Sequence, residues 1–216
     1  MLIVLVGAPG AGKGTQSDLL VQRHSLHKFS TGDALREEVR KGSELGLRVK
    51  SVMDSGGLVD DSLIMDVVKE QVTGSKSKVI LLDGLPRTLN QAKLLQNFRD
   101  VNPVVAAVEI AVDRESLLTR LSGRRVCPSC SAVYHLVDSP TKVEGVCDHC
   151  GTNVVTRADD ELDRVKSRLE IYDKEFGAIM EYYQSLGLGF KIDGNGSPEA
   201  VYERLETLVK KVISGT

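Results

Sequence analysis

The sequence predicts an α/β fold built on a five-stranded parallel sheet flanked by helices. Three features carry that prediction: strand-length apolar runs recur along the chain, amphipathic stretches lie between them, and a glycine-rich turn joins the first run to the first helix. With 216 residues, 41% of them hydrophobic, the chain suits one compact unit with a sizeable core and excludes disorder, collagen and coiled coil. Charge nearly balances at −2, so no global basic field recommends nucleic acid or an acidic membrane, and any anion site has to be local. Met1 leads into apolar residues without a basic n-region, and nothing approaches the ~20 apolar residues of a membrane span. The expectation is a cytoplasmic protein with no membrane and no nucleic-acid partner.

In chain order, Leu2–Val6 reads as the first strand and the residues around Leu19, Leu20 and Val21 as the first helix. His27–Ser30 is a short second strand, because it lies between that helix and the Thr31-Gly32-Asp33 signal for the next. Residues 30–59 are helical with glycine breaks at Gly42, Gly46, Gly56 and Gly57, and read as a small separate flap. Val79–Leu82 and Val104–Val112 are the next strands, divided by helix. Residues 123–160, with all four cysteines, two prolines and short β-like pieces, read as an inserted module. From Asp159 to Leu186, apolar positions from Leu162 to Ile179 recur at helical spacing, and Asp159 and Asp160 suit that helix's N-terminus. A weaker strand at Phe190–Ile192 and a helix capped by Ser197-Pro198-Glu199 complete the chain. Residues 1–29, 60–122 and 161–216 thus form the core.

The strongest chemical signal is Gly7-Ala8-Pro9-Gly10-Ala11-Gly12-Lys13-Gly14-Thr15 between the first strand and helix. Glycines let successive backbone N–H groups face one phosphate, while the helix N-terminus and Lys13 add positive charge. Gly14 stands where the general phosphate-loop pattern has Ser or Thr, and the hydroxyl comes one place later at Thr15. A second signal, Val79 to Arg87, is an apolar strand running into Asp83, placed where an open α/β sheet binds ligands and where a carboxylate can face Mg²⁺ or its water. Each has a plainer reading, an ordinary glycine turn and a solvated loop; their co-occurrence favours the phosphate reading.

Arginines form the third signal. Arg120 and Arg124 are four apart, as are Arg164 and Arg168, so each pair shares a face if the helix persists, and Arg157 precedes the long helix. Phosphoryl transfer needs such charge around the transferring group. The fourth is Cys127-x-x-Cys130, sixteen residues, Cys147-x-x-Cys150, the spacing of a closed Cys₄ zinc site. Its role is structural, stapling a module too small for its own core. A redox pair is the competing reading, and His135 and His149 read as bystanders.

Together the phosphate loop, Ser30-Thr31-Gly32-Asp33, Asp83-Gly84-Leu85-Pro86-Arg87, Gly123-Arg124-Arg125-Val126 and Arg157-Ala158-Asp159-Asp160 resemble the adenylate kinases, in their long-lid, zinc-containing bacterial form. The resemblance implies a P-loop NTPase-like fold with an NMP-binding flap at 30–59 and a zinc-ribbon-like lid at 123–160. It implies an enzyme that makes two ADP from Mg·ATP and AMP, sustaining adenine nucleotide balance; a complete core with two mobile flaps can work alone, so a monomer is expected. Carried over, Gly10, Ala11, Gly12, Lys13, Gly14 and Thr15 hold the ATP phosphates. Arg120, Arg124, Arg157 and Arg168 clamp ATP and the transition state, Val133 and Tyr134 meet ATP in the lid, and the backbone near Gly196 meets its adenine. Asp83 positions Mg²⁺. Thr31, Arg36, Gly57, Leu58, Val59, Gly84, Leu85, Pro86, Arg87 and Gln91 bind AMP, with Arg157 and Arg168 reaching the same nucleotide. Arg36 and Arg87 grip its phosphate; Thr31 and Gln91 read its base. The expected catalytic set is Lys13, Arg87, Arg124, Arg157 and Arg168.

Two departures stand out: Leu85 where the family usually has Phe, and Val137-Asp138-Ser139-Pro140-Thr141 in place of an aromatic-Asn-Pro-Pro stretch. They imply weaker lid stacking on ATP adenine. Competing readings are a kinase for UMP, CMP or GMP, a zinc-ribbon binding module with a nucleotide switch, and an ATPase or GTPase using water as acceptor.

Overall fold

The computed structural model describes residues 1–24, 26–75, 77–98 and 103–214. Its core is a five-stranded sheet in the order β2 (His27–Ser30), β3 (Ile80–Asp83), β1 (Leu2–Val6), β4 (Val104–Ala111), β7 (Gly189–Asp193), every pairing parallel. The central strand β1 is buried along its whole length, as a strand covered on both faces must be. Its period of two divides the protein: Leu2, Val4 and Val6 enter one apolar cluster, Ile3 and Leu5 the other.

Helices cover both faces. The second cluster takes Leu20 of α1 (Lys13–His24), Leu117 and Leu121 of α6 (Arg114–Gly123), and Val201, Leu205 and Val209 of α8 (Pro198–Ser214). The first takes Leu35 of α2 (Thr31–Lys41), Val49 of α3 (Glu44–Asp54), Val68 of α4 (Asp61–Gly74) and Leu95 of α5 (Leu89–Leu95). The long α7 (Leu162–Ser185) serves both: Val165 and Leu169 pack in the second cluster, Ile179, Met180 and Tyr183 in the first. Among the described residues no helix is long and apolar enough to cross a membrane.

The sequence places the strands to within a residue at each end, and the larger corrections fall on helices. The run at Val79–Leu82 is a strand at Ile80–Asp83, shifted by one residue and ending in the Asp83 carboxylate as expected. Arg120 and Arg124 do not share a helix face, because α6 ends at Gly123 and Arg124 opens β5 (Arg124–Val126). Gly46 is no helix break: Ser43 caps α3, accepting the Gly46 N–H at 3.0 Å, and a Cβ on Gly46 would lie 2.1 Å from the Glu38 carbonyl. It permits α2 and α3 to touch, whereas Gly42, left-handed at φ 65°, ends α2 as expected.

β5 pairs antiparallel with β6 (Val133–His135), and bridges such as Val126 to Val155 and Val146 to Asn153 tie the cysteine segment together. Its apolar cluster contains only Cys127, Tyr134 and Cys147, with Ala132 and Val154 against them. Residues Ala158–Asp160 form a single 3₁₀ turn, so α7 starts at Leu162, later than the acidic pair suggested.

Candidate active site

A cleft of about 1130 Å³ opens at the carboxyl ends of β1, β2 and β3. Into it runs the loop after β1, with Gly10 at φ 86° and Gly12 at φ 91°. No L side chain adopts these angles readily, and at Gly10 a Cβ would also stand 3.0 Å from Leu121, so glycine is required twice over. Lys13 opens α1, and its Nζ donates to the Gly7 and Ala8 carbonyls at 2.6 and 3.0 Å, folding the side chain over the loop. Burial pushes Lys13 down to about 8; Asp83 opposes the shift, and the guanidiniums of Arg87, Arg168 and Arg124 add to it.

The Asp83 carboxylate lies 3.4 Å from where a Gly14 Cβ would stand, directly over the first turn of α1. Lys28 approaches it at 3.9 Å and also binds Asp18 at 2.8 Å. Asp83 and the Thr15 hydroxyl both border the cleft, an oxygen donor set that fits a hard cation such as Mg²⁺.

Arginines converge from three elements. Buried Asp160 accepts from Arg124 Nε at 2.6 Å and also from its NH2, and from Arg168 NH1 at 3.1 Å. Arg168 bonds the Asp159 carbonyl and carboxylate as well, at 2.9 and 3.0 Å. Arg36 is held by Asp33 at 2.5 Å and Arg87 by the Gly84 carbonyl at 2.9 Å. Loss of bulk water, then the charges of Arg168 and Arg36, lower Arg87 to about 10; burial, then Arg36 and Arg124, do the same to Arg157. For Asp159 burial works the other way, yet Arg168, Arg36, Arg157 and Arg124 together hold its carboxyl below the usual range. Positive charge is therefore crowded locally around Lys13, Arg87 and Arg157, each lowered in part by neighbouring guanidiniums, a field that anionic oxygens relieve.

At one end Thr31, Gly57, Leu58, Val59, Gly84, Leu85 and Gln91 surround a pocket with Leu35, Met53 and Ile64. The Thr31 hydroxyl is buried without a partner, and Gln91 is 2% exposed. Leu85 is 1% exposed and packs into the first apolar cluster, and the peptide joining it to Pro86 is cis. At the other end lie Arg120, Gly194, Gly196, Val133 and Tyr134. Arg120 donates to the Gly194 carbonyl at 3.1 Å, and Gly196 takes φ 104°. Tyr134 borders the cleft while its hydroxyl contacts Cys147 Sγ at 3.4 Å and accepts the Asp148 N–H at 2.8 Å, inside the cysteine module. Asp138 is turned back onto His135, its backbone N–H donating to His135 Nδ1 at 3.0 Å. Pro86 stands beside a smaller cavity under Arg87 and Arg168.

The four cysteine sulfurs lie within 4.8 Å of one another, with Sγ–Sγ separations of 3.4 Å for Cys127–Cys150 and 3.5 Å for Cys130–Cys147. Disulfides need about 2.05 Å, whereas four thiolates about 2.3 Å from one zinc stand just under 4 Å apart. The group is closed, with no histidine in it: His135 bonds toward the Thr119 carbonyl instead.

Several contributors escape sequence reasoning. Asp33 and Asp160 hold arginines, Gln16 donates to the Pro198 carbonyl at 2.9 Å, and Arg40 of α2 reaches the Ser129 carbonyl in the cysteine module at 2.8 Å. The acidic pair after Arg157 is visible in the sequence, but its partners are set only by the fold.

The profile of the adenylate kinase family matches residues 5–188. The chain is 41% identical over 215 residues to the adenylate kinase of Clostridium acetobutylicum, covering 98% of this chain and 100% of that protein. It is equally 41% identical to that of Caldanaerobacter subterraneus over 218 residues, 100% and 97% of the two chains. With the Chloroherpeton thalassium adenylate kinase it shares 39% over 215 residues, 97% and 98%. Similarity that runs the length of both chains makes this chain a member of the adenylate kinase family.

Proposed function

We propose that the chain transfers a phosphoryl group reversibly between ATP and AMP, giving two ADP. The observation that carries the reading is one cleft with a phosphate loop at one end, the Thr31 and Gln91 pocket at the other, and Lys13 and the arginines crowded between. An AMP phosphate oxygen forms the new bond to the γ-phosphorus as the bond to the β–γ bridging oxygen breaks, and the electron pair leaves on ADP. The chain's part is positioning and charge. Gly10, Ala11, Gly12, Gly14 and Thr15 cradle the ATP phosphates and Lys13 follows the moving group. Arg36 and Arg87 orient the AMP phosphate. Arg124, Arg157 and Arg168 neutralise charge as it spreads over the equatorial oxygens, and Arg120, Val133, Tyr134 and Gly196 seat the donor nucleotide. Asp83 would hold the Mg²⁺ that accompanies ATP, through water, and that cation would supply charge screening at the phosphate oxygens. Zinc on Cys127, Cys130, Cys147 and Cys150 keeps the lid folded.

Residues 30–59 act as the AMP flap and 123–160 as the lid, closing over the core to exclude water that would otherwise compete with AMP. The protein works as a cytoplasmic monomer. A panel of AMP, GMP, CMP and UMP with Mg·ATP tests the reading. AMP is expected to dominate; preference for another acceptor, or brisk ATP hydrolysis without one, overturns it.

A further inference from the structure

Gln91 is held at both ends of its amide. The Arg87 backbone N–H donates to Gln91 Oε1 at 2.7 Å, and Gln91 Nε2 donates to Asp61 Oδ1 at 2.7 Å. Asp61, the first residue of α4, also receives Asn90 Nδ2 at 2.7 Å and the Thr88 hydroxyl at 3.2 Å. The Thr88 proton is committed in that direction, because Thr88 Oγ1 already accepts the Gln91 N–H at 3.1 Å as the cap of α5. Asp61 thus meets three donors, and no basic side chain among the described residues pairs with it. With these donors turned as they are, both carboxylate oxygens of Asp61 accept.

These directions remove the usual ambiguity of an amide. Turned over, Gln91 would set its NH₂ against the Arg87 N–H and its oxygen against the Asp61 carboxylate, leaving buried groups unpaired. In the observed sense one N–H and one oxygen lone pair are left over, on a residue that lines the cleft and is 2% exposed. A donor beside an acceptor matches a purine edge that offers an amino group next to an unprotonated ring nitrogen, as adenine does. It opposes an edge with a carbonyl next to a ring N–H, as guanine has.

We propose that Asp61 is a positioning residue for acceptor choice: by fixing the sense of the Gln91 amide it makes the pocket select a 6-amino purine monophosphate. The proposal rests on the reading that Gln91 meets the acceptor base. Asp61 itself need not touch the nucleotide.

The test compares kcat/KM for AMP with that for purine riboside 5′-monophosphate, which lacks the 6-amino group. It is run on the natural protein and on Asp61→Ala, Asp61→Asn and Gln91→Ala. Each ratio comes from one preparation, so a partly unfolded variant does not distort it. Asp61→Ala is expected to narrow the preference for AMP about tenfold and to raise KM for AMP, with KM for ATP within about twofold of the natural protein's. Asp61→Asn keeps Oδ1 for Gln91 and for the Thr88 hydroxyl, 3.3 Å away, while exposed Asn90 turns its own amide, and should keep most of the preference. If Gln91→Ala loses the preference and Asp61→Ala keeps it, the positioning role is overturned and base reading by Gln91 stands. If Gln91→Ala keeps it, both are overturned.

Discussion

On the proposed role of Lys13 at the ATP phosphates, nucleotide binding is tied to pH. In the ligand-free cleft burial holds its ammonium near 8 instead of the ordinary 10.5, with neighbouring arginines adding to the effect. Phosphate oxygens favour the charged form, so ATP binds the protonated protein, and above pH 8 it must bring a proton with it. The charged fraction of Lys13 in the empty cleft falls from about nine-tenths at pH 7 to about one-tenth at pH 9, so ATP affinity should weaken about tenfold over that interval. Arg87 and Arg157, lowered only to about 10, enter above that window. Titration calorimetry in buffers of different ionisation heat should read about 0.1 proton taken up at pH 7 and about 0.9 at pH 9. Lys13→Met should lose both turnover and the slope. The unfolded chain holds the Lys13 proton up to about 10.5, so in the absence of ligand this group lets stability rise with pH between about 8 and 10.5. Affinity that stays flat from pH 7 to 9, or an equal slope in Lys13→Met, refutes the reasoning.

Three other perturbations probe the covers and the clamp. Gly46→Ala puts a Cβ 2.1 Å from the Glu38 carbonyl and forces α2 from α3. It should cost about 1–3 kcal/mol in thermal unfolding and raise KM for AMP more than KM for ATP. Zinc removal, or Cys150→Ser, should unfold the cysteine module and stop turnover, because Arg124 stands at its first strand; full activity and an unchanged melting curve after metal stripping would contradict this. Asp160→Ala removes the acceptor shared by Arg124 and Arg168 and should lower kcat at least about tenfold. Unfolding measurements should show a loss of roughly 3 kcal/mol, typical of breaking a buried pair.

How much was legible beforehand follows from how local each signal is. β1 and β2 match the sequence reading at both ends, because apolar runs and a helix-start signal act within a few residues. The Cys₄ group is equally local, since spacing alone brings two knuckles together. Gly46 was misread because a close approach and a break both ask for glycine, and only the position of Glu38, eight residues earlier, separates them. The pairing of Arg120 with Arg124 failed for a like reason: helical spacing says nothing about where α6 stops. Least legible were the acidic partners. Asp160 meets Arg124 across 36 residues, and Asp61 meets Gln91 across 30, so no window of sequence contains either contact.

The position of β1 at the centre of the sheet, buried at every residue, has a consequence for how such a chain can change. The glycine loop grows from the central strand, which is paired on both sides and buried on both faces. The proposed acceptor pocket is different: part of its wall comes from the α2–α3 pair, and Gln91, proposed to read the base, is set by a few side chains on α4 and α5. Substitutions there reach substrate choice before they reach foldability. Selectivity and phosphate handling are thus separately mutable, and a laboratory lineage selected for a new acceptor should accumulate its changes around the pocket while the central strand and its glycine loop stay as they are.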